Sequence, residues 1–245
     1  MKIAVIGCGA MGSAMARHFA SKGFSLLLVD NKPDHARALA QEIGAEAVSE
    51  VGEVDVVLLA VKPKDVGSVK FKGAKLIMSV LGSTTLEELK RHFPKGERVR
   101  LMPNLPVSCG EGVVGVCHDT DLSVEGKERT LHLLKGIGLI LFVPESKMGA
   151  VTGVAGCGTA FICLMLEAMV DGGIRLGLKA EEALELSMKT MEGAVALIRA
   201  SKESPDQVRR QVCSPGGSTI RGIVKMEESG VRSGIIQGIM ATSNL

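Results

Sequence analysis

A glycine-rich loop near the beginning of the chain lies between a strand and a helix, and this context constrains the fold strongly. "KIAVIG" is typical of a buried strand, and "GCGAMG" follows it at once with glycines at positions Gly7, Gly9 and Gly12. "SAMARHFASKG" then has helical spacing up to Gly23, and "SLLLVD" predicts a second strand that ends in Asp30. A strand, a Gly-x-Gly-x-x-Gly loop, a helix and an acidic residue about 20 positions further on form the dinucleotide-binding fingerprint.

Each glycine of this loop has a physical task. Gly7 makes a tight turn, Gly9 lets a pyrophosphate approach the backbone, and Gly12 lets the helix pack closely on the sheet. The helix N-terminus then offers unpaired N–H groups and the positive end of its dipole to the phosphates. We therefore expect a bound NADPH or NADH.

Asp30 bears on the choice between these two cofactors. A carboxylate at this position accepts a hydrogen bond from a ribose 2′-OH and repels a 2′-phosphate, which favours NADH. Lys32, His35 and Arg37 follow closely, and any of them could hold a 2′-phosphate instead. The sequence leaves the preference open.

Strand-type and helix-type segments alternate through the first half of the chain. This alternation predicts an α/β fold with a mostly parallel sheet covered on both faces, in which ligands gather at the carboxyl ends of strands. Lys62 with Pro63, and Pro103 with Asn104, end two of these strands and should line the cofactor cleft. The predicted cofactor-binding residues are Gly7, Gly9, Ala10, Met11, Gly12, Asp30, Asn31, Lys32, Ala60, Val61, Lys62, Pro63, Pro103 and Asn104.

From about Ser146 the strand signals disappear and the spacing is helical to the end of the chain. We expect residues 1–145 to form a Rossmann dinucleotide-binding domain and residues 146–245 to form an all-helical domain. Small residues around Gly153 to Gly158 should interrupt the first helix, and Glu167 breaks its apolar run before it reaches the length of a membrane span. Because the helical half is very apolar, we expect it to pack against the first domain or a second copy, giving a dimer.

Charge and cysteine usage exclude several other classes of protein. The 29 basic and 27 acidic residues are mixed along the chain, which indicates neither a nucleic-acid partner nor an anionic membrane surface. The six cysteines have no metal-ligand spacing, so we expect no metal site. They are typical of buried or partly buried thiols in a reducing compartment, and we expect a cytoplasmic protein.

Five segments give the chain a resemblance to a known family. They are "IAVIGCGAMGSAMA", "AVKP", "RLMPNLP", "VTGVAGCGTAFICLMLEAMVDGG" and "VCSPGGSTIRGIVKMEESGVRSGII". Together they resemble the Δ1-pyrroline-5-carboxylate reductases, which make L-proline, and the last segment resembles the family's most specific signature. The resemblance covers nearly the whole chain. It implies a Rossmann domain followed by a helical dimerisation domain whose helices interlock between two subunits.

The resemblance also assigns a role to "CSPGGSTIRG", Cys213 to Gly222. It implies that this turn binds the carboxylate of a small cyclic imine through backbone N–H groups and hydroxyls at a helix start. The implied substrate-binding residues are Ser214, Gly216, Gly217, Ser218 and Thr219. Thr219 is further implied to act in catalysis, by hydrogen bonding to the imine nitrogen directly or through its proton supply.

The five histidines lie outside the matched segments, and we expect them at the surface. They are His18, His35, His92, His118 and His132.

The chain also departs from the family pattern. Leu105 replaces the Thr of MPNTP, and Cys157 and Thr159 replace Ser and Pro in the small-residue segment. The segment between Pro63 and Leu76 is short enough that a helix usual in the family is reduced or missing. These departures leave the substrate range less certain than the fold.

Two other functions remain as alternatives. One is an NAD(P)H-dependent reductase of another cyclic imine or of a β-hydroxy acid, although the helix with Glu167 and Asp171 lacks the central Lys that the second group needs. The other is a nucleotide-sensing or scaffolding protein that binds the cofactor without turnover. The carboxylate-binding turn argues against it, because such a protein has no need to bind a small carboxylate.

Overall fold

The computed structural model describes residues 1–117 and 122–242, and these residues form two compact units. The first is formed chiefly by Met1–Thr159 and the second by Ala160–Ala241. Residues 146–159 thus pack with the first unit, although the helical part of the chain already begins there.

The first unit is built on an eight-stranded sheet with the order β3-β2-β1-β4-β5-β6-β7-β8. The strands are β1 Lys2–Ile6, β2 Ser25–Val29, β3 Glu46–Ala47, β4 Val51–Leu59, β5 Phe71–Ser79, β6 Glu97–Pro103, β7 Gly112–Cys117 and β8 Gly138–Val143. Its helices include α1 Ala10–Ser21, α2 Pro33–Ile43, α3 Leu86–His92 and α4 Val124–Leu134. Only β6 and β7 pair antiparallel among the described strands, so the predicted mostly parallel sheet is confirmed.

Side chains of the central strands alternate between two apolar layers. Ile3 and Val5 belong to one buried cluster, whereas Ala4 and Ile6 of the same strand belong to another. This two-residue period follows from the pleat of a strand and explains why the central strands are apolar at consecutive positions. The sheet is therefore a middle layer, and its carboxyl edge stays open to ligands.

The connection from β4 to β5 differs from the other crossovers of the sheet. A short 3-10 helix, Pro63–Ser68, takes the place of a full α-helix there. This agrees with the short segment noted in the sequence, and it leaves the side of the sheet next to β4 less covered.

The second part of the chain is helical, as predicted. Its helices are α5 Met148–Val151, α6 Gly158–Arg175, α7 Ala180–Ser201, α8 Pro205–Gln211, α9 Ser218–Glu228 and α10 Val231–Ala241. Ser204 caps α8 by accepting a hydrogen bond from the Gln207 N–H, with Pro205 in the first turn.

The expected interruption around Gly153 to Gly158 takes the form of a π-helical turn: α5 ends at Val151, the turn spans Thr152–Gly156, and α6 begins at Gly158. Small residues allow the wider turn without breaking the backbone ladder. The helical stretch Glu145–Arg175 contains an 18-residue window with a mean hydropathy of 1.8. By length and composition alone it could cross a membrane, unlike the shorter run read from the sequence.

His18 corrects the expectation that the histidines lie at the surface. Its side chain is 7% exposed, and Nε2 lies 3.0 Å from the carbonyl oxygen of Leu133. Burial, together with the charge of Lys22, lowers the pKa of the His18 imidazole, so the neutral ring donates this hydrogen bond. His35, His92 and His132 are exposed as expected, and His118 lies outside the described residues.

The cysteines are only partly as expected. Cys8 and Cys117 are buried, but Cys109 and Cys163 are exposed. Cys109 ends a short 3-10 turn at the surface and Cys163 lies on an outward face of α6. No disulfide links any of the six, all of which the structure describes.

We predict that the buried Arg100 side chain contributes strongly to stability. Its guanidinium donates to Glu145 Oε1 at 3.0 Å and to the Gly82 carbonyl, so Arg100→Leu removes a buried cation from beside the Glu145 carboxylate and a donor from the Gly82 carbonyl. We expect the free energy of unfolding to fall by about 3 kcal/mol in denaturant titrations followed by circular dichroism. The matched control is Arg91→Leu, which removes an exposed ion pair with Glu87 and should cost no more than about 0.5 kcal/mol. Equal losses in the two variants would contradict this prediction.

Candidate functional site

A cleft of about 980 Å³ opens at the carboxyl ends of β1, β2 and β4. Parallel strands bring these ends to one edge of the sheet, where the loops that follow them converge. Of the predicted cofactor-binding residues, the cleft is lined by Gly7, Gly9, Asp30, Asn31, Lys32, Ala60, Val61 and Lys62. The sequence therefore located the centre of this cleft.

The glycine loop has the geometry that a phosphate group needs. Gly7 has a φ of +101°, and a Cβ there would lie 2.5 Å from the carbonyl oxygen of Ala60. A Cβ at Gly12 would lie 1.8 Å from the Gly7 carbonyl oxygen, so α1 can pack this closely only without a side chain. At Gly9, by contrast, no atom of the described chain outside its own helix lies within 4 Å of such a Cβ. This open space faces the first turn of α1 and fits a pyrophosphate.

Asp30 is fixed against the glycine loop by backbone hydrogen bonds. Its Oδ2 accepts from the Cys8 N–H at 2.6 Å, and its Oδ1 accepts from the Lys32 N–H at 2.8 Å. The carboxylate is half-buried and lines the cleft, and each oxygen keeps a further lone pair for a ligand hydroxyl. The geometry thus suits a ribose 2′-OH and places a negative charge near any 2′-phosphate.

Cys8 is not a reactive thiol in this arrangement. Burial and, to a lesser degree, the charge of Asp30 raise the pKa of the Cys8 thiol to about 11. The thiol therefore stays neutral near pH 7, and its sulfur lies 3.7 Å from the Val29 carbonyl oxygen. Cys8 therefore contributes its backbone N–H, which holds Asp30, and not a reactive thiol.

The sequence reasoning missed the far wall of the cleft. Part of this wall lies just before β4, and part lies in the short 3-10 helix and the beginning of β5; its residues are Ser49, Glu50, Lys64, Asp65, Ser68, Val69, Lys70, Phe71 and Lys72. The short β4–β5 crossover, noted in the sequence, was the signal that no full helix would cover the cleft next to β4. The lysines add positive charge to the side where the adenosine half of a dinucleotide would lie.

Six predicted residues lie outside the cleft lining. Ala10 and Met11 begin α1, Gly12 is a buried residue of that helix, and Pro63 begins the 3-10 helix beside Lys62. Pro103 ends β6 and Asn104 follows it, and β4 and β5 separate this strand from β1. Both residues are buried and neither lines this cleft, so their contact with a cofactor stays a prediction.

The predicted substrate-binding turn precedes α9 in the second unit. Gly216 has a φ of +70°, and the Gly217 N–H donates to the Ser214 carbonyl oxygen at 3.0 Å. Gly217 is the N-cap of α9, and Ser218 and Thr219 form its exposed first turn. Because its N–H is used inside the turn, Gly217 does not offer the donor that the sequence reasoning expected.

The donors that remain are those of the helix start. The first N–H groups of an α-helix have no intrahelical acceptor, so Ser218 and Thr219 present theirs outward together with their hydroxyls. Arg221, which the sequence reasoning did not single out, donates from Nη1 to the Gly216 carbonyl oxygen at 2.8 Å and adds a positive charge. This turn can hold a small carboxylate.

No metal cluster accompanies these two sites. Within residues 1–117 and 122–242, no group of three or more His, Cys, Asp and Glu side chains could hold a metal ion.

We predict that Asp30 sets the relative affinity for the two cofactors. Asp30→Asn removes the charge that faces a 2′-phosphate and retains the side-chain size. We expect the ratio of the Kd for NADPH to the Kd for NADH to fall about tenfold, equivalent to about 1.4 kcal/mol. The fluorescence of the reduced cofactor can be followed in the titration. The control is Asp206→Asn, an exposed residue of α8 in the second unit that does not line the cleft, and a comparable shift there would rule out a specific role for Asp30.

Comparison with known proteins gives a family match for each half of the chain. A family model described as pyrroline-5-carboxylate reductase dimerisation matches residues 145–244. Another, described as NADP oxidoreductase, coenzyme F420-dependent, matches residues 2–81, which include the glycine loop and Asp30.

Similar structures and sequences extend over the whole chain. A pyrroline carboxylate reductase of Plasmodium falciparum, with NADP bound, has a TM-score of 0.87 at 25% identity and covers 99% of this chain and 97% of its own. The 1-pyrroline-5-carboxylate reductase of Streptococcus pyogenes has a TM-score of 0.88 at 25% identity, covering 100% and 99% of the two chains. The pyrroline-5-carboxylate reductase of Aquifex aeolicus is 34% identical over 99% of this chain and 95% of its own. The enzyme of the same name from Kluyveromyces lactis is 32% identical over 97% and 93%. With this identity over nearly its full length, the chain belongs to the pyrroline-5-carboxylate reductase family.

Proposed function

We propose that this protein is a pyrroline-5-carboxylate reductase, an NAD(P)H-dependent oxidoreductase that makes L-proline. The reaction adds a hydride to the imine carbon of 1-pyrroline-5-carboxylate and a proton to its nitrogen, while NAD(P)H becomes NAD(P)⁺. The observation that carries this proposal is the pairing of a dinucleotide cleft with an exposed anion-binding turn in one chain of this family.

The protein's own groups have three tasks in this reaction. The glycine loop and the N-terminus of α1 bind the pyrophosphate, and Asp30 orients a ribose. The nicotinamide supplies the hydride when it is bound. The turn before α9 holds the substrate carboxylate through the N–H groups of Ser218 and Thr219, with the Ser214 hydroxyl as a further donor. Orientation of two reactants accounts for most of the catalysis, because a protonated imine is already electrophilic.

Thr219 is the side chain that we assign to the imine nitrogen. Thr219 is exposed in the first turn of α9, and its hydroxyl lies on the same residue as one of the proposed carboxylate-binding N–H groups. A hydroxyl can both donate and accept, so it can hydrogen-bond the nitrogen while the proton arrives and after the amine has formed. Thr219 is therefore the proposed catalytic residue.

A second candidate is a reductase of another cyclic imine, and the residues that favour it are the departures from the family pattern. Leu105 is 50% exposed after β6, while Cys157 and Thr159 are half-buried at the start of α6. Leu105 offers an apolar surface where a hydroxyl would accept hydrogen bonds, and this change would suit a substrate with an additional apolar group. A β-hydroxy-acid substrate lacks such support.

We further propose that the chain forms a homodimer through its helical domain, residues 146–245, and acts in the cytoplasm. The second unit exposes large apolar side chains on most of its helices, with Ile162 and Leu164 on α6 and Ile236 and Met240 on α10 as examples. An exposed apolar surface of this extent is typical of a site that is buried against another protein or a membrane. The match of residues 145–244 to a dimerisation family favours a second chain over a lipid bilayer as that cover.

The first prediction from this proposal concerns turnover. The wild-type chain should oxidise NADPH or NADH in the presence of pyrroline-5-carboxylate, and Thr219→Val should lower kcat about 100-fold, since it keeps the shape but removes the hydroxyl. Thr219→Ser is the matched control, which retains the hydroxyl and should keep most of the activity. Turnover of a different imine alone would favour the second candidate, and no turnover of any imine would contradict a reductase.

The second prediction concerns assembly. Light scattering should give twice the mass of one chain in detergent-free buffer, and Leu164→Glu should shift the protein to monomers because it buries a charge in the interface. Leu164 is 65% exposed in the single chain. Val124→Glu in α4 of the first unit, at 74% exposed, is the control and should leave the dimer intact. A wild-type protein that stays soluble only in detergent would instead favour the membrane interpretation of Glu145–Arg175.

A further inference from the structure

A β-turn formed by residues 214–217 leads directly into α9. The Gly217 N–H donates to the Ser214 carbonyl oxygen at 3.0 Å, and Gly216 has a φ of +70°. A proline at the second position, here Pro215, and a glycine with positive φ at the third are typical of a type II turn. The backbone before the helix therefore has a defined geometry, which is set by hydrogen bonds and not by the glycines alone.

The peptide group between Gly216 and Gly217 is held at both ends. Its N–H donates to Ser214, and its carbonyl oxygen accepts a hydrogen bond from Nη1 of Arg221 at 2.8 Å. Because a peptide group is planar, holding both ends fixes its rotation. This peptide group directly precedes the first turn of α9, so Arg221 helps to set the direction in which the N–H groups of that turn point.

Arg221 is itself fixed relative to the turn. Its backbone N–H donates to the carbonyl oxygen of Gly217, the N-cap of α9, at 3.4 Å. Its side chain extends back to Gly216, five residues earlier in the chain. All of these contacts lie within the second unit, so they depend on no other part of the chain.

The Ser214 hydroxyl depends on the same peptide group. A Cβ at Gly217 would lie 2.4 Å from Ser214 Oγ, so the hydroxyl occupies space that only a glycine leaves free. A different rotation of the Gly216–Gly217 peptide group would therefore displace this hydroxyl as well as the helix N–H groups. Both kinds of donor belong to the proposed carboxylate site.

The charge of Arg221 is not neutralised by a carboxylate. Arg209 and Arg210 of α8, in the same unit, both form ion pairs with Asp206. Within residues 1–117 and 122–242, Arg221 forms no ion pair, and its guanidinium donates to a neutral carbonyl oxygen instead. Its positive charge thus adds to the attraction that the N-terminus of α9 has for an anion.

We propose that Arg221 is a positioning residue for the substrate carboxylate. It acts through the Gly216 carbonyl, because its hydrogen bond keeps the Gly216–Gly217 peptide group in the rotation that directs the helix N–H groups towards the anion. Its positive charge strengthens the binding of that anion. The proposal rests on the proposed reductase function, since the carboxylate is that of the substrate.

The test is Arg221→Met, which keeps an unbranched apolar side chain and removes the guanidinium. We expect the KM for pyrroline-5-carboxylate to rise about tenfold, because the turn loses a hydrogen bond from a charged group. The KM for the reduced cofactor should not change, since the cofactor cleft is formed by residues of the first unit. A purely structural role would lower the thermal midpoint in circular dichroism and leave both KM values unchanged.

Two further variants control for charge and for position on the helix. Arg221→Lys keeps a cation and a donor, so its KM for the substrate should stay within about threefold of wild type. Lys225→Met removes a positive charge one turn further along α9, where Lys225 pairs with Glu228 at 3.1 Å, and should leave this KM unchanged. An equal rise in Arg221→Met and Lys225→Met, or a rise in both KM values of Arg221→Met, would overturn the positioning role.

Hydrogen exchange tests the same role without turnover. The Gly217 amide is protected by its hydrogen bond to Ser214, and its exchange should become about tenfold faster in Arg221→Met but not in Lys225→Met. A wild-type chain without turnover contradicts the reductase function itself. Unchanged exchange of the Gly217 amide in Arg221→Met, or an unchanged KM for a substrate that the wild type reduces, contradicts only the positioning role.

Discussion

The close approach of α1 to the end of β1 is the constraint on which the rest of the first unit depends. A Cβ at Gly12 would lie 1.8 Å from the Gly7 carbonyl oxygen, so the helix can begin beside the strand only because both positions lack side chains. That approach aims the helix N-terminus into the cleft and puts the Cys8 N–H within 2.6 Å of Asp30. One steric condition thus determines both the phosphate site and the position of the carboxylate that faces the ribose.

The sequence predicts this part of the fold well because the determining contacts are local. Gly7, Gly12 and Asp30 lie within one strand–helix–strand unit, and the turn before α9 lies within a few residues of Gly216. The alternation of strands and helices predicts the sheet for the same reason, since each element carries its own period. The two-residue β3 is the exception, because a strand so short has no period to read.

The features that the sequence does not predict depend on contacts between distant residues. His18 is buried because Leu133, far along the chain, supplies a carbonyl to its ring. The π turn exists in a segment that reads as a break, and its partner Asn104 lies 51 positions earlier. The Gly217 N–H is not available to a ligand because it donates to the Ser214 carbonyl oxygen. The amino-acid composition of the turn does not predict this hydrogen bond. Each of these features depends on which hydrogen-bond donor pairs with which acceptor, and the folded backbone sets that pairing.

Pro103 and Asn104 show how position in the sheet and hydrogen bonding can differ in what they indicate. A Pro-Asn pair at the end of a parallel strand has the position of a ligand-binding loop, and β6 does end at the same edge as β1. The antiparallel strand β7 then folds back beside β6 and supplies the Val113 N–H, which draws the amide inward. A buried amide that lost these partners would leave an N–H and a carbonyl unsatisfied, at about 1–3 kcal/mol each. The direction of the Asn104 side chain is therefore set by the backbone around it, whereas the residues that line the described cleft come chiefly from the ends of β1, β2 and β4.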